Sequence, residues 1–87
     1  MKTVGQIRLP AAERRQAIVD AAMRVFVRSS YRGATTAELA REAGISEPIL
    51  YRHFGSKREL YLACLESAWA ALRAAFDAHD ARETVAV

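Results

Sequence analysis

Apolar residues recur at helical spacing along most of this chain, and the polar residues between them mark where one helix stops and the next begins. At 100° per residue, Ile18, Val19, Ala22, Met23, Val25, Phe26 and Val27 fill one broad arc, with Ala17, Asp20, Arg24 and Arg28 opposite. The spacing predicts a helix over about 10–29 with one face towards a core. Residues 29–34, which include Gly33, form a connection. A second, short helix is predicted over 36–43. Thr35 and Glu38 stand at the spacing of a capping box, Leu39, Ala40 and Ala43 form a narrow apolar stripe, and Gly44 ends the helix. Ile45 follows as a plug in the turn, and Ser46 can cap a third helix over about 47–53, with Pro48 in its first turn where no N–H donor is required.

In that third helix Leu50 and Phe54 are four residues apart and face the core. Glu47, Pro48, Ile49 and Arg52 are left outside, with Tyr51 and His53 towards the flanks. A proline and a β-branched apolar residue on an exposed face suit a surface that meets something better than one that meets only water. After Gly55, a second S-x-x-E signal, Ser56 to Glu59, opens a fourth helix over about 57–79. Its apolar residues form two stripes, one through Leu60, Cys64 or Ala63, Ser67 and Ala71, the other through Tyr61, Leu65, Trp69, Leu72 and Phe76. Short partner helices can cover only its first turns, so Trp69, Leu72 and Phe76 are expected to stay exposed and to mark an interface. With no strand-like run, the fold class is all-α: a three-helix, homeodomain-like helix-turn-helix bundle followed by a long fourth helix.

Charge sharpens this picture. Lys57 and Arg58 occupy the first turn of the fourth helix, where the helix dipole disfavours cations by roughly 0.3–1 kcal/mol each. A helix start that nevertheless carries cations is suited to hold a phosphate. Across all 87 residues, 13 Lys and Arg stand against 10 Asp and Glu, a mild net +3 whose placement matters more than its size. Lys2, Arg8, Arg14 and Arg15 gather near the N-terminus, and residues 1–9 read as a flexible basic arm. Asp77, Asp80 and Glu83 lie at the other end. Cys64 is the single cysteine, which excludes an intrachain disulfide and fits a cytoplasmic location. No apolar run is long enough to span a bilayer, and no membrane partner is expected.

From about Arg14 to Leu65 the chain resembles the N-terminal DNA-binding domain of the tetracycline-repressor (TetR) family of transcriptional regulators, through Ala22, Val25 and Phe26, the loop Y-R-G-A-T-T over 31–36, and the segment 35–60, T-T-A-E-L-A-R-E-A-G-I-S-E-P-I-L-Y-R-H-F-G-S-K-R-E-L. The stretch L-Y-R-H-F-G-S-K-R-E-L carries most of that specificity. The resemblance implies a helix-turn-helix domain over 10–65, with the helix-turn-helix at about 35–54. Residues 66–87 would then lead to a larger C-terminal domain that binds a small-molecule effector and forms a homodimer. The resemblance also implies roles residue by residue. Thr36, Tyr51, His53 and Lys57 would contact phosphates, and Glu47, Pro48, Ile49 and Arg52 would lie at base-reading positions in the major groove of a palindromic operator. Glycine is common in the family where Pro48 stands, and the 87 residues read as an excised N-terminal domain or a truncated product.

The leading functional expectation is therefore a sequence-specific double-stranded DNA binder, a repressor released by an effector. The alternative is a helical protein-interaction module that uses the face of Trp69, Leu72 and Phe76. Neither catalysis nor a cofactor is expected, because His53, His79 and Cys64 supply no metal-ligand cluster and no nucleophile–base pair. Ordinary structural roles compete at each site. His53 could be a satisfied helix-end histidine, Tyr51 an amphipathic core edge, and Lys57 and Arg58 a solvated pair. Cys64 reads as a small buried hydrophobe.

Overall fold

The computed structural model describes residues 9–86, with side chains described up to residue 81. It contains four helices and, among the described residues, no strand: α1 (Ala11–Gly33), α2 (Thr36–Ala43), α3 (Glu47–His53) and α4 (Lys57–Ala86). Most of the expected basic arm, residues 1–8, lies outside the described residues. The fourth helix runs beyond the predicted end near residue 79.

Helix α1 is the spine. It packs against both α2 and α4, and α3 is held chiefly through α2. The core gathers Ile18, Val19, Ala22, Val25 and Phe26 of α1 with Leu39 and Ala40 of α2, Leu50 and Phe54 around α3, and Leu60 and Cys64 of α4. Ala34, Ile45 and Tyr61 close its edges. One expected core residue is not there: Val27 is 88% exposed. The 100° count explains the correction, since Val27 lies roughly 150° from the centre of the buried arc. The same count places Arg15 on the core side, and its guanidinium covers the Phe54 ring at 4.6 Å.

The helix boundaries follow the capping chemistry. Thr35 accepts from the Glu38 N–H at 3.1 Å while the Glu38 carboxylate accepts from the Thr35 N–H, a complete capping box. Gly44 ends α2 in the left-handed region at φ 73°, a conformation that costs glycine nothing. Ser46 accepts from the Ile49 N–H and caps α3. The Ser56 hydroxyl accepts from the Glu59 N–H, but the Glu59 carboxylate returns to the N–H of Gly55 at 2.9 Å rather than to Ser56. Two arginines of α1 hold α2 from the solvent side: Arg24 meets Glu42 at 3.0 Å, and Arg28 reaches Glu42 and Glu38 at 3.4 and 3.8 Å. The Arg24 hydrogen bond holds the Glu42 carboxyl below its ordinary value, and Arg28 adds to it against the opposing desolvation. Its contribution to stability is therefore complete above the usual carboxylate range and is lost as pH falls through the lowered folded value. Burial, with the charge of Asp20 adding, pushes the Cys64 thiol up to about 11, and its Sγ faces the Val19 carbonyl at 3.7 Å.

The chain turns towards α2 at Ser30, a kink that interrupts the last turn of α1, and not at Gly33. Ser30 has φ 65° and ψ 171°, a region that a residue with a Cβ enters at a cost of about 1–3 kcal/mol. Its hydroxyl accepts from the Gly33 N–H at 3.2 Å, which offsets part of that strain. Ser30→Gly should therefore stabilise the domain by about 1 kcal/mol, the relieved strain exceeding the lost hydrogen bond. Thermal denaturation followed by circular dichroism reads this as a rise in Tm, and a fall would mean that the hydroxyl contributes more than the strain costs.

Candidate nucleic-acid interface

The exposed face of α3 is set by what the helix buries. Leu50 and Phe54 are only 2% and 3% exposed. With those two anchored, helical geometry turns Pro48, Ile49 and Arg52 directly outward and leaves Tyr51 and His53 on opposite flanks. Glu47, Pro48, Ile49, Tyr51 and Arg52 are exposed, while His53 is half-buried. Ile49 and Tyr51 are 40% and 45% exposed, large side chains for a face meeting water alone. The result is a short ridge with an apolar centre and a cationic edge.

Thr36 opens α2 beside the start of α3, and its hydroxyl donates to the Glu47 carboxylate at 3.1 Å. The contact ties the two helices of the helix-turn-helix together. It also occupies the single hydroxyl proton that Thr36 could offer to a phosphate. His53 lies on the other flank, next to Phe54 and Arg15, in an open groove of about 240 Å3 that also borders Glu59 and Glu66 of α4.

Lys57 has a more definite position than sequence reasoning gave it. Its Nζ donates to the carbonyls of Tyr31 at 2.8 Å and Ala34 at 3.0 Å, and lies 4.5 Å from the centre of the Tyr31 ring. Two of its three ammonium protons therefore tie α4 to the α1–α2 connection, and one remains for any external acceptor. The unfavourable placement of this cation at a helix start thus has a structural answer. Arg58 beside it is exposed. Tyr31 carries no assigned role in the sequence beyond its place in the loop motif, yet it stacks with Phe26 at 6.0 Å, lies tilted against Tyr61 at 4.7 Å and supports Lys57. Only its place in an apolar pattern interrupted by polar loop residues hinted at this.

Among the described residues, no group of three or more His, Cys, Asp and Glu side chains could hold a metal ion. Among the described residues, no helix is long and apolar enough to cross a membrane.

A three-helix core presenting a short, solvent-facing third helix across a glycine turn is the architecture of a helix-turn-helix nucleic-acid-binding domain. The profile of the bacterial regulatory proteins, tetR family, matches residues 18–64, and the chain belongs to that family. It is 52% identical over 59 residues to the HTH-type transcriptional activator FasR of Mycolicibacterium smegmatis, an alignment covering 68% of this chain and 27% of FasR. It is 41% identical over 49 residues to the HTH-type transcriptional repressor AcnR of Corynebacterium efficiens, covering 56% of this chain and 26% of AcnR. The crystal structure of a TetR-like transcriptional regulator from Rhodococcus sp. RHA1 superposes with a TM-score of 0.66 at 42% identity, over 69% of this chain and 33% of that one. The chain thus spans about a quarter to a third of the length of these relatives. They are named as regulators of transcription, not as enzymes.

If Lys57 is the tie described above, Lys57→Ala should cost about 2 kcal/mol of stability through the loss of charge-assisted hydrogen bonds to two carbonyls. Urea denaturation checks this, and an unchanged midpoint with an unchanged slope would remove the structural role.

Proposed function

We propose that this chain is a sequence-specific double-stranded DNA-binding domain whose α3 enters the major groove. The observation that carries the reading is the outward ridge of α3. Pro48, Ile49 and Arg52 project away from a core fixed by Leu50 and Phe54, and a major groove about 12 Å wide admits such a helix. In this reading Ile49 meets a thymine methyl and Arg52 a guanine edge, with Pro48 packed beside them. Glu47 accepts from a cytosine amine while Thr36 holds its carboxylate in place. Tyr51, His53 and Lys57 face the phosphates, with Lys57 offering its remaining proton, while the Thr36 hydroxyl serves Glu47 in place of the phosphate contact that the family resemblance implies.

The domain boundaries belong to the same reading, with residues 10–65 as the DNA-binding unit and 66–87 as the continuing fourth helix. So does the regulatory role. Repression follows from occupying a palindromic operator near a promoter, as the name of AcnR supports, whereas the name of FasR supports activation from a suitably placed site. Homodimerisation and release by a small-molecule effector are proposals for a whole protein of the relatives' length. Action on a genome implies a cytoplasmic protein.

Selection from random duplex DNA by the 87-residue chain, followed by titration over a range of salt concentrations, tests this. A short enriched motif with a steep fall of affinity with salt is expected. Arg52→Ala should relax preference at one base pair per half-site, at a cost of about 1–3 kcal/mol for the preferred base. An unenriched pool from folded protein would overturn sequence-specific binding by the domain, and an unchanged base preference in Arg52→Ala would make Arg52 a backbone contact.

A further inference from the structure

One arginine at the His53 end of α3 has a place in the packing that does not use its charge. Arg15 belongs to the start of α1, yet its guanidinium lies over the ring of Phe54, 4.6 Å from the centre. Phe54 directly follows α3, so this contact brings the beginning of α1 to the end of the recognition helix. The His53 ring borders the same phenyl ring at 6.5 Å. Arg15 and His53 also line the same open groove of about 240 Å3.

An internal ion pair would account for the arginine, and two carboxylates, Glu59 and Glu66, border that groove. Glu59 is committed to the Gly55 N–H at 2.9 Å. Glu66 lies seven residues further along α4, roughly 10 Å away at 1.5 Å per residue, on the side leading away from α3. Among the described residues neither carboxylate pairs with Arg15, whereas Arg24 and Arg28 of the same helix both pair with Glu42. Covering the Phe54 ring would account for a long side chain, but a methionine supplies that cover without a charge. A guanidinium lying over a ring is held in one orientation and keeps its five N–H donors at its edge. None of the five makes a hydrogen bond within the described residues.

Resting on the placement of α3 in the major groove, we propose that Arg15 binds a DNA phosphate next to the one that His53 faces. The start of α1 and the end of α3 then hold one strand of the duplex together. Arg15 is better placed for this than Lys57, which gives two of its three protons to the carbonyls of Tyr31 and Ala34. Backbone contacts fix the register and orientation of a protein on the duplex. Because α1 packs against both α2 and α4, a phosphate held by Arg15 ties the spine of the domain to the DNA and limits how far α3 can roll in the groove.

Titration of the full 87-residue chain against a duplex carrying its selected motif, over a range of salt concentrations, tests the assignment. Wild type is compared with Arg15→Met, which keeps an apolar cover on Phe54, and with Arg15→Lys, which keeps the charge but not the planar stacking. Arg15→Met should weaken binding about tenfold, equally for the motif and for unrelated duplex, and lower the salt slope by about one unit. Arg15→Lys should keep the wild-type slope. Replacing single phosphates by uncharged methylphosphonates adds a readout that a packing role would not move: at one position wild type should lose affinity and Arg15→Met should not. Circular dichroism checks the fold, and Arg15→Gln carries the same comparison if Arg15→Met does not fold. An uncharged variant with the wild-type slope, or one that responds like wild type to every methylphosphonate, overturns the phosphate role. A loss confined to the selected motif also overturns it, since Arg15 would then act only by placing α3. A wild-type chain that binds no duplex overturns the DNA reading itself, and the role of Arg15 with it.

Discussion

A helix of seven residues does not persist in water by itself, because nucleation costs more than so few hydrogen bonds return. Helix α3 exists because Leu50 and Phe54 are buried against a core that α1 supplies. Everything displayed on the opposite side depends on that anchorage. Rotation of α3 by one residue would move each exposed side chain by about 100°, and the ridge of Pro48, Ile49 and Arg52 would no longer point one way. The position of Arg15 over the Phe54 ring reinforces the same anchor from the start of α1.

The anchorage is transmitted through the α1–α2 connection. Ser30 turns the chain in a strained conformation, Tyr31 stacks on Phe26 and tilts against Tyr61, and Lys57 joins the carbonyls of Tyr31 and Ala34 to the first turn of α4. Strain at one residue and a cation at an unfavourable helix position are local costs. Both are offset by a single cluster that fixes α2 and α4 relative to α1. The cluster therefore sets where the helix-turn-helix sits on the bundle. In the proposed DNA complex, Lys57 would hold the fold together and face the phosphate backbone from the same place.

Much of this was legible in the chain. Thr35 with Glu38, Gly44, Ser46 and Ser56 marked helix ends that the structure has within a residue or so, because capping is a local exchange of hydrogen bonds. Leu50 and Phe54 as anchors, with Pro48, Ile49 and Arg52 outside, followed from helical periodicity in the same way. The exposure of Trp69, Leu72 and Phe76 followed from length, since the partner helices reach only the first turns of so long a helix. Val27 was misplaced because a run of apolar residues was read more broadly than the helical angle allows. The partners of Lys57 could not be read, because Tyr31 and Ala34 are more than twenty residues away in the chain.

The sequence by itself thus determined the number of helices, the ends that caps mark, and most of the apolar face of each. Those properties depend on neighbours within about four residues along the chain. It also carried the motif that ties the chain to its family. The tertiary structure alone decided that Thr36 spends its hydroxyl proton on Glu47, that Ser30 carries the turn, and that Lys57 joins α4 to the end of α1. Each of those outcomes is a choice among several chemically equivalent partners, and only the packing of α1 against α2 and α4 brings one partner within hydrogen-bonding distance.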